Sequence, residues 1–499
     1  MKRYFYPAAV LIIGLGTAQL LFSFLVYLSD ISLFHHLLAI KQAGFLTVPN
    51  DHVMMTLQNL APAFYGAFFF TLTTGAGLTV TAFWLVFGWH RFFNQNRYIF
   101  ICILIFWIFI LYKLNSHGLN LVVSLAFIII PAAVGLITIM LYSHHSARLN
   151  PLNIITHIIV VILIGAAWAP KLNSDVFITI RDHLLLTHPL GKKINTFYYK
   201  YTLYPAETFK SLNQKLLKTC RVKINDPDLY QKVTTKLNHQ DYLTVDESSS
   251  VDLTIYQKSG LLIFKHHETL MHECTHKCSI DTFLDAPKQQ LKLFSEKCDK
   301  NIFFRQITFI SLIFFSPLLC YLFLYFIIML SLFFVRPPVI RSVCASVLCL
   351  TIGIVLVLPL YQIHTTRMET QTEPEILKNL QSADWHDRVF ALKVLSDKNL
   401  SVKQSDIMQK LVKSPFIPER YWMAKTLGNS DSAESYKILL EFLSDKSPNV
   451  VCMALYSLGR KNRPLTFQKI IDLISSSKHW YVQWYAYKSL KRLGWTQSK

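Results

Sequence analysis

Seven long apolar runs constrain this 499-residue chain more than any other feature of its sequence. A helix needs about 17–25 apolar residues to cross the hydrocarbon core of a bilayer, and most of these runs contain no Asp, Glu, Lys or Arg. The sequence therefore predicts a polytopic α-helical membrane protein with seven spans, rather than one large soluble enzyme. The runs cover about residues 6–29, 62–88, 98–113, 119–142, 154–170, 306–335 and 339–362.

Basic residues in the short loops predict the orientation of these spans, because cytoplasmic loops are enriched in Lys and Arg. One side of the chain carries seven of them, whereas the other side carries only Lys41 and Lys113. We expect the richer side to be cytoplasmic, with an uncleaved first span, the N-terminus inside and the C-terminus outside. The seven residues are Lys2, Arg3, Arg91, Arg97, Arg148, Arg336 and Arg341.

The spans divide the chain into four predicted domains. Residues 1–170 hold five spanning helices, and residues 306–362 hold two more. Residues 171–305 and 363–499 are polar and are expected to lie outside the membrane. The location that this topology predicts is the inner (plasma) membrane of a bacterium, with both polar domains extracytoplasmic.

The net charge of +20 comes from 50 Lys and Arg against 30 Asp and Glu. Residues 171–305 hold 20 basic and 15 acidic residues, and residues 363–499 hold 21 and 13. The excess is therefore spread along the chain, without the basic block typical of a nucleic-acid-binding arm. We expect no nucleic-acid partner, and we expect contact with membrane lipid. A simple contribution to solubility is the alternative.

The segment 171–305 is predicted to be a small α/β domain. Arg221 begins a short strand, Asp226 caps a helix, and two strands flank the turn at Ser259 and Gly260. Tyrosines and lysines alternate from Lys192 to Tyr204, which is typical of a segment that lies on the membrane surface.

Four cysteines fall in this domain, and an even number outside the cytoplasm predicts two disulfides. Cys220, Cys274, Cys278 and Cys298 allow three connectivities, and the sequence does not choose among them. Four reduced, buried thiols are the alternative if the domain is cytoplasmic.

The same domain contains His272-Glu273-Cys274-Thr275-His276, an H-E-x-x-H motif. On a helix, His272 and His276 would share one face and could bind Zn²⁺, with Glu273 as the general base. The motif resembles that of the zincin metalloproteases, in which a third ligand lies downstream; Glu296 has a suitable spacing for it. Lys277 departs from the family pattern, because an uncharged residue usually follows the second histidine.

Two other interpretations of this motif remain open. The neighbouring histidines and cysteines could bind a structural zinc or copper ion. Alternatively, the segment is a polar turn with solvent-facing histidines and no metal. We therefore expect no cofactor, with zinc as the possible exception, and leave enzymatic activity uncertain while favouring its absence.

The C-terminal domain is repetitive. Four stretches align without gaps, and their starts lie 32, 31 and 32 residues apart. Each has the periodicity of a helix, a second amphipathic helix lies between successive stretches, and Gly428 and Gly459 follow two of them as helix caps would. Paired helices at a fixed period predict an α-solenoid. The stretches are Arg388–Leu395, Arg420–Leu427, Val451–Leu458 and Gln483–Leu490.

This pattern resembles short HEAT repeats of about 31 residues over residues 380–495. The resemblance implies a solenoid that presents a surface to a protein partner. The aromatic residues near its end are either the core and cap of the last repeat or part of that surface. The candidate partner residues are Trp480, Tyr481, Trp484 and Trp495.

The sequence as a whole predicts an integral membrane scaffold or accessory protein of the cell envelope. A membrane-bound zinc metalloprotease that uses the H-E-x-x-H motif is the first alternative. A transporter or lipid-handling component is the second, although the spans carry almost no ionisable residues of the kind that ion-coupled transport requires.

Overall fold

The computed structural model of the chain describes residues 2–142, 151–171, 175–246, 250–267, 273–335, 337–362, 371–402, 405–461 and 466–497. The chain forms two compact units. The first comprises Met1–Gly44, Thr56–Ala167 and Tyr201–Ile354. The second comprises Phe45–Met55, Trp168–Lys200 and Val355–Lys499, so it joins three stretches that are far apart in the sequence.

Apolar helices form the first part of the chain. Their order is α1 (Lys2–Gln42), α2 (Asp51–Met54), α3 (Leu60–Phe70), α4 (Ala76–Arg91), α5 (Arg97–Leu114), α6 (Leu121–Tyr142) and α7 (Pro151–Trp168). A π-helical turn at Thr71–Gly75 joins α3 to α4 and makes them one continuous rod. Two further helices, α8 (Val176–Ile180) and α9 (Pro189–Tyr201), precede the short α10 (Leu203–Thr208).

Five strands form one mixed sheet in the next part of the chain. The elements are β1 (Lys218–Lys223), α11 (Pro227–His239), β2 (Tyr242–Thr244), β3 (Leu253–Lys258), β4 (Leu261–His267), β5 (Glu273–Ser279), α12 (Ile280–Asp285) and α13 (Pro287–Lys297). The strand order is β2-β1-β3-β4-β5, with β1 parallel to both of its neighbours and the other pairs antiparallel.

This sheet domain agrees with the predicted α/β elements. Asp226 caps α11 by accepting from the backbone N–H of Asp228 and Leu229. The β3–β4 hairpin turns at Ser259 and Gly260, which both have positive φ, as a tight two-residue hairpin turn requires. Its core is apolar and fully buried around Val233, Ile255, Phe264, Phe283 and Phe294.

A second block of apolar helices follows: α14 (Ile302–Ile310), α15 (Ser316–Ser331) and α16 (Pro338–Gln362). The π-helical segment Ser311–Phe315 joins α14 to α15. Within the first unit the aromatic ring of Phe304 packs against those of Phe22, Phe70 and Phe209. These contacts tie α14 to the first block of helices.

Six helices among the described residues are long and apolar enough to cross a membrane. They coincide with six of the seven runs that were predicted as spans. The remaining predicted span, 154–170, corresponds to the shorter apolar helix Ile154–Trp168. The six are Tyr6–Gln42, Leu60–Arg91, Arg97–Leu114, Leu121–Leu141, Ile302–Ser331 and Pro338–Leu358.

The C-terminal part is a solenoid of helix pairs, as the repeat predicted. Its helices are α17 (Glu373–Gln381), α18 (Trp385–Asp397), α19 (Ser405–Val412), α20 (Ile417–Leu427), α21 (Ala433–Glu441), α22 (Pro448–Leu458), α23 (Thr466–Ser476) and α24 (Trp480–Arg492). Helices α18, α20, α22 and α24 carry the four aligned stretches and pack against one another in succession. We call these four the inner helices.

Candidate interaction surface of the repeat unit

A ladder of hydroxyl groups holds the inner helices together. The seventh residue of each aligned stretch after the first is Thr426, Ser457 or Ser489. Each donates to the backbone carbonyl of the fifth residue in the preceding stretch, at 3.3, 2.7 and 2.5 Å respectively. A single buried hydrogen bond thus recurs at each junction and fixes the register between neighbouring repeats.

The glycines that follow two stretches have a packing role that differs from the predicted one. Gly428 and Gly459 both have helical φ values, of −60° and −66°, so the expectation that they form left-handed helix caps is wrong. A Cβ on Gly459 would lie 2.5 Å from Ser489 Oγ, and one on Gly428 would lie 2.9 Å from Ser457 Oγ. Each glycine is required because the next hydroxyl of the ladder occupies that space.

The inner helices are covered by other segments of the same unit. The first of these contains α8 and the π-helical turn Arg181–Leu185. Asp182 is fully buried and accepts a hydrogen bond of 2.8 Å from Trp422 Nε1 of α20. The Lys393 ammonium of α18 lies 3.7 Å from the same carboxylate. Asp182 therefore joins this segment to two inner helices.

The surroundings of Asp182 compensate for the burial of its charge. Arg181 donates two hydrogen bonds to Asp182 Oδ1, at 2.9 and 2.7 Å, and its guanidinium lies 3.9 Å from the ring centre of Tyr421. Burial lowers the pKa of Lys393, although the nearby carboxylate of Asp182 opposes that shift. A buried charge network of this kind is costly to break, because any group left behind remains unpaired.

His183 extends this contact with a stack of aromatic rings. Its imidazole lies nearly parallel to the rings of Trp385 and His386, with centroids 5.9 and 5.6 Å away. Burial and the neighbouring Lys393 ammonium lower the pKa of His183 to about 4. His183 is therefore neutral at physiological pH, which suits its position next to an ammonium group.

Helix α9 covers the later repeats. Asn195 and Asn449 are both buried and exchange amide hydrogen bonds of 3.1 and 3.4 Å. The rings of Tyr198 and Tyr199 pack on Tyr481 of α24, with centroids 6.2 and 4.9 Å apart. Tyrosines that were expected to lie on the membrane surface thus contact the solenoid instead.

The third covering segment, Phe45–Met55, binds the last repeat through Asn50. The Asn50 amide donates to three backbone carbonyls at the end of α23, those of Ile474, Ser475 and Ser477, at 2.7, 2.9 and 3.0 Å. Gln483 pairs with Asn50 in both directions: it accepts from the Asn50 backbone N–H at 2.9 Å and donates to Asn50 Oδ1 at 2.8 Å. One buried side chain therefore satisfies the carbonyls at the end of a helix, which otherwise lack partners.

Gln483 itself reflects a recurring feature of the repeat. The first residue of three aligned stretches donates to the carbonyl six positions earlier: Arg388 to Ser382 at 2.6 Å, Arg420 to Ser414 at 2.6 Å, and Gln483 to Ser477 at 2.7 Å. The two arginines also pair with an acidic residue of the next repeat. In the last repeat Gln483 pairs with Asn50.

The predicted partner residues of α24 and beyond divide into two groups. Trp480 is 4% exposed and belongs to the core, so its assignment to a partner surface is wrong. Tyr481 contacts α9, and Trp495 packs edge-on against the buried Tyr487. Trp484 remains half-exposed, with the Lys488 ammonium 3.6 Å above its ring.

The H-E-x-x-H motif lies on a strand, so the predicted helix is wrong. Glu273–Ser279 forms β5, and the partner of His276 in the adjacent β4 is Phe264. A strand turns successive side chains to opposite faces, so it does not create the one-turn spacing that a zincin helix uses. His272 lies outside the described residues.

The other predicted metal ligands have different partners. His276 Nε2 lies 3.0 Å from Gln290 Oε1, in hydrogen-bonding contact. Glu296 is exposed on α13 and lies 3.7 Å from the Lys292 ammonium. No group of three or more His, Cys, Asp or Glu side chains in the described part of the chain is placed to hold a metal ion.

One disulfide forms where two were predicted. Cys274 and Cys298 are bonded, which ties β5 to the end of α13. Cys220 is a buried free thiol, and Cys278 is a half-buried one. Cys220 lies on β1 and packs in the core of the sheet domain, where it acts as a small apolar residue.

Comparison with known proteins identifies the C-terminal region. Residues 404–491 match the family model of HEAT repeats, which confirms the resemblance that the repeat indicated. No curated protein and no solved structure matches the chain. HEAT repeats imply a solenoid that interacts with protein, and the inner helices of this one contact segments of their own chain.

The covering segments were not predicted as part of this surface. Asn50, Asp182 and Asn195 are single polar residues, and their partners lie at least 240 residues further along the chain. The hydroxyl ladder could have been found, because Thr426, Ser457 and Ser489 occupy the same position of the aligned stretches.

Proposed function

We propose that this protein is an integral membrane scaffold of the bacterial cell envelope. Its HEAT-repeat solenoid lies at the outer face of the inner membrane and holds a protein partner there. The observation that supports this proposal is the composition of the second unit, in which the solenoid binds chain segments that adjoin apolar helices. Phe45–Met55 follows α1, and Trp168–Lys200 follows α7.

The predicted topology puts these segments and the solenoid on one side of the membrane, which is a condition for their contact. Two segments on the same side must be separated by an even number of crossings. Three helices between Met55 and Trp168 are long enough to cross, and Ile154–Trp168 is shorter. We therefore count α7 as the fourth crossing. Two more crossings, by α14–α15 and by α16, precede the solenoid.

The partner surface that this proposal assigns is the exposed side of α24 around Trp484. The inner helices are covered, whereas the ring of Trp484 is half-exposed and carries a lysine above it. Tryptophan is enriched among residues that dominate binding energies at protein interfaces. A Trp484→Ala variant should lose most of the bound partner, while Trp480→Phe, a conservative change in the core, should retain it.

Reporter fusions in intact cells test the topology. Fusions after Lys499 and near Pro287 should both report an extracytoplasmic location, and a fusion at Asn94, between the cytoplasmic Arg91 and Arg97, should report the opposite side. A cytoplasmic signal from the Lys499 fusion would overturn the proposal. Stoichiometric zinc in the purified full-length protein, lost on His276→Ala, would favour a metalloprotein instead.

A further inference from the structure

A polar cavity of about 170 Å³ lies within the first unit, between α1 and the sheet domain. Ser29, Ser32 and His36 of α1 form one wall. His266 of β4 and the residues around Lys215 form another. This cavity belongs neither to the solenoid nor to the H-E-x-x-H motif.

The position of the cavity relates it to the surface of a bilayer. Ser29 ends the apolar run 6–29 of α1, and Asn301, which also lines the cavity, directly precedes the apolar helix α14. Two candidate spans therefore meet the polar domain at this point. The phenyl rings of Phe209 and Phe304 pack against each other with centroids 3.9 Å apart, and Phe304 lies on the first turn of α14. An apolar cluster thus begins within one turn of the polar cavity.

The walls of the cavity carry charges of both signs. Lys210, Lys215 and Lys300 supply ammonium groups, and Glu207 and Asp299 supply carboxylates. Salt bridges hold the frame in place. Lys215 Nζ lies 2.7 Å from Asp252 Oδ1, and Arg305 pairs with Asp299. The site is therefore built before any ligand enters.

One carboxylate beside the cavity lacks a hydrogen-bonding partner among the described residues. Asp30 lies between two residues that line the cavity, Ser29 and Ser32, and is only 1% exposed. Neither of its oxygens accepts a hydrogen bond, and Glu207 is close enough to interact with it electrostatically. A buried carboxylate pair without a cation is unfavourable, and a primary ammonium group is the natural partner for it.

We propose that this cavity binds the headgroup of a zwitterionic phospholipid with a primary ammonium group, a phosphatidylethanolamine, from the outer leaflet of the membrane. The phosphate faces the lysines on the side of the sheet domain. The ammonium group donates to Glu207 and Asp30 at the end of α1, and the acyl chains extend along the apolar surface near Phe304. A phosphatidylglycerol headgroup supplies the phosphate without the cation, and choline supplies a cation that cannot donate.

Native mass spectrometry of the full-length protein in detergent tests this proposal. Dioleoyl phosphatidylethanolamine should bind about tenfold more tightly than the matching phosphatidylglycerol or phosphatidylcholine, as expected for one charge-assisted contact. The soluble headgroup glycerophosphoethanolamine should bind far more weakly than the lipid. Equal affinity for the three lipids would overturn the proposal, and so would tight binding of the headgroup alone, which would indicate a soluble ligand.

Two pairs of charged residues offer a matched comparison. Glu207 and Lys210 line the cavity and form an ion pair three residues apart, whereas Lys292 and Glu296 form an exposed pair on α13. The Glu207→Gln, Lys210→Met double variant should lose the preference for phosphatidylethanolamine about tenfold. The Lys292→Met, Glu296→Gln variant should retain it. Equal effects of the two would contradict the proposal.

A third variant covers the case in which the first double variant does not fold. Ser32 is exposed at the edge of the cavity, so Ser32→Trp fills the space and leaves every charged group in place. This variant should unfold at the same temperature as the original protein and should bind phosphatidylethanolamine at least about tenfold more weakly. Unchanged lipid binding in Ser32→Trp would overturn the proposal.

Discussion

Asp252 in the sheet domain and Asp182 in the repeat unit are both buried carboxylates, but their partners come from different distances along the chain. Asp252 contacts Lys215 and accepts from the backbone N–H of Thr219, both within 37 residues of it. Asp182 contacts Trp422 and Lys393, which lie 240 and 211 residues away.

This difference teaches how each region obtains its stability. The sheet domain closes its core, its ion pairs and its disulfide within one continuous stretch of chain, so local sequence specifies it. The repeat unit needs segments that leave and return through apolar helices, so its stability depends on the whole chain. Four experiments can break or sharpen this comparison, and they follow in order of expected effect.

Asp182→Ala should have the largest effect, because it leaves a lysine, an arginine and an indole N–H without their partner. Removing one member of a buried charge network costs about 3–5 kcal/mol. Urea unfolding of the full-length protein, followed by tryptophan fluorescence, measures the change, since Trp422 is in direct contact with Asp182. Asp397→Ala at the exposed end of α18 is the control. Equal effects would remove the contrast between the two regions.

Removing the disulfide should affect the sheet domain and leave the repeat unit unchanged. Cys274 and Cys298 close a loop with a sequence separation of 24, for which a loss of about 3 kcal/mol is expected in the Cys→Ser double variant. Hydrogen exchange should show increased opening in β4 and β5 and no change in α18 and α20. Alkylation of the unreduced, unfolded protein should label Cys220 and Cys278. Protection of these two thiols would indicate a second disulfide.

Acidification should weaken the repeat unit before the sheet domain. The pKa of His183 falls from 6.5 to about 4 on folding, so the unfolded chain binds the proton first and stability is lost as the pH falls from about 6.5 to 4. The expected loss between pH 7.5 and pH 5 is about 2 kcal/mol. Groups of opposite sign, Lys393 and Asp182, surround the imidazole, and His386 stacks on it.

The sheet domain should respond at a lower pH. Burial alone would raise the pKa of Asp252, but the Lys215 ammonium holds it well below 3.8. The unfolded carboxyl therefore takes up its proton first, and the stabilisation by Asp252 persists until the pH falls below about 4. Urea midpoints at pH 7.5 and pH 5, compared with those of His183→Phe, separate the two regions. A pH response of the repeat unit that survives in His183→Phe would assign it to another group.

Gly459→Ala should have the smallest effect. The added Cβ would lie 2.5 Å from Ser489 Oγ and 3.0 Å from Ser489 Cα, so the α22–α24 contact must open at a cost of about 1–2 kcal/mol. Gly16→Ala is the control, because no atom lies within 4 Å of a Cβ there. A helix gains from that substitution, so the control should be as stable as the original or slightly more so. Thermal unfolding measures both.

Periodicity predicted the solenoid and the apolar helices, because one physical requirement, burial of an apolar face or a bilayer span, repeats over many residues. The H-E-x-x-H motif was misplaced for the opposite reason. Five residues carry little information on secondary structure, and the alternation of Cys274, His276 and Cys278 also fits one face of a strand. Pairing with β4 decides between the two structures.

The contacts that cover the solenoid are beyond this kind of inference. Asn50 follows a short loop and Asp182 lies in a π-helical turn, and neither position has a pattern that indicates a partner more than 200 residues away. The glycines of the repeat were located correctly, but their role depends on the hydroxyl of the next repeat. Sequence predicted where these residues lie in the repeat and left open what they touch.

The pairing of Asn50 with Gln483 also has a consequence for biosynthesis. The two residues are 433 positions apart, so Asn50 emerges from the ribosome long before its partner exists. At about 5–20 residues per second, the interval is roughly 20–90 s. During that time the segment after the first apolar helix has exposed amide groups and the last repeat is not yet made. The first extramembrane contact to be synthesised is therefore among the last to form, which makes it a natural target for a chaperone.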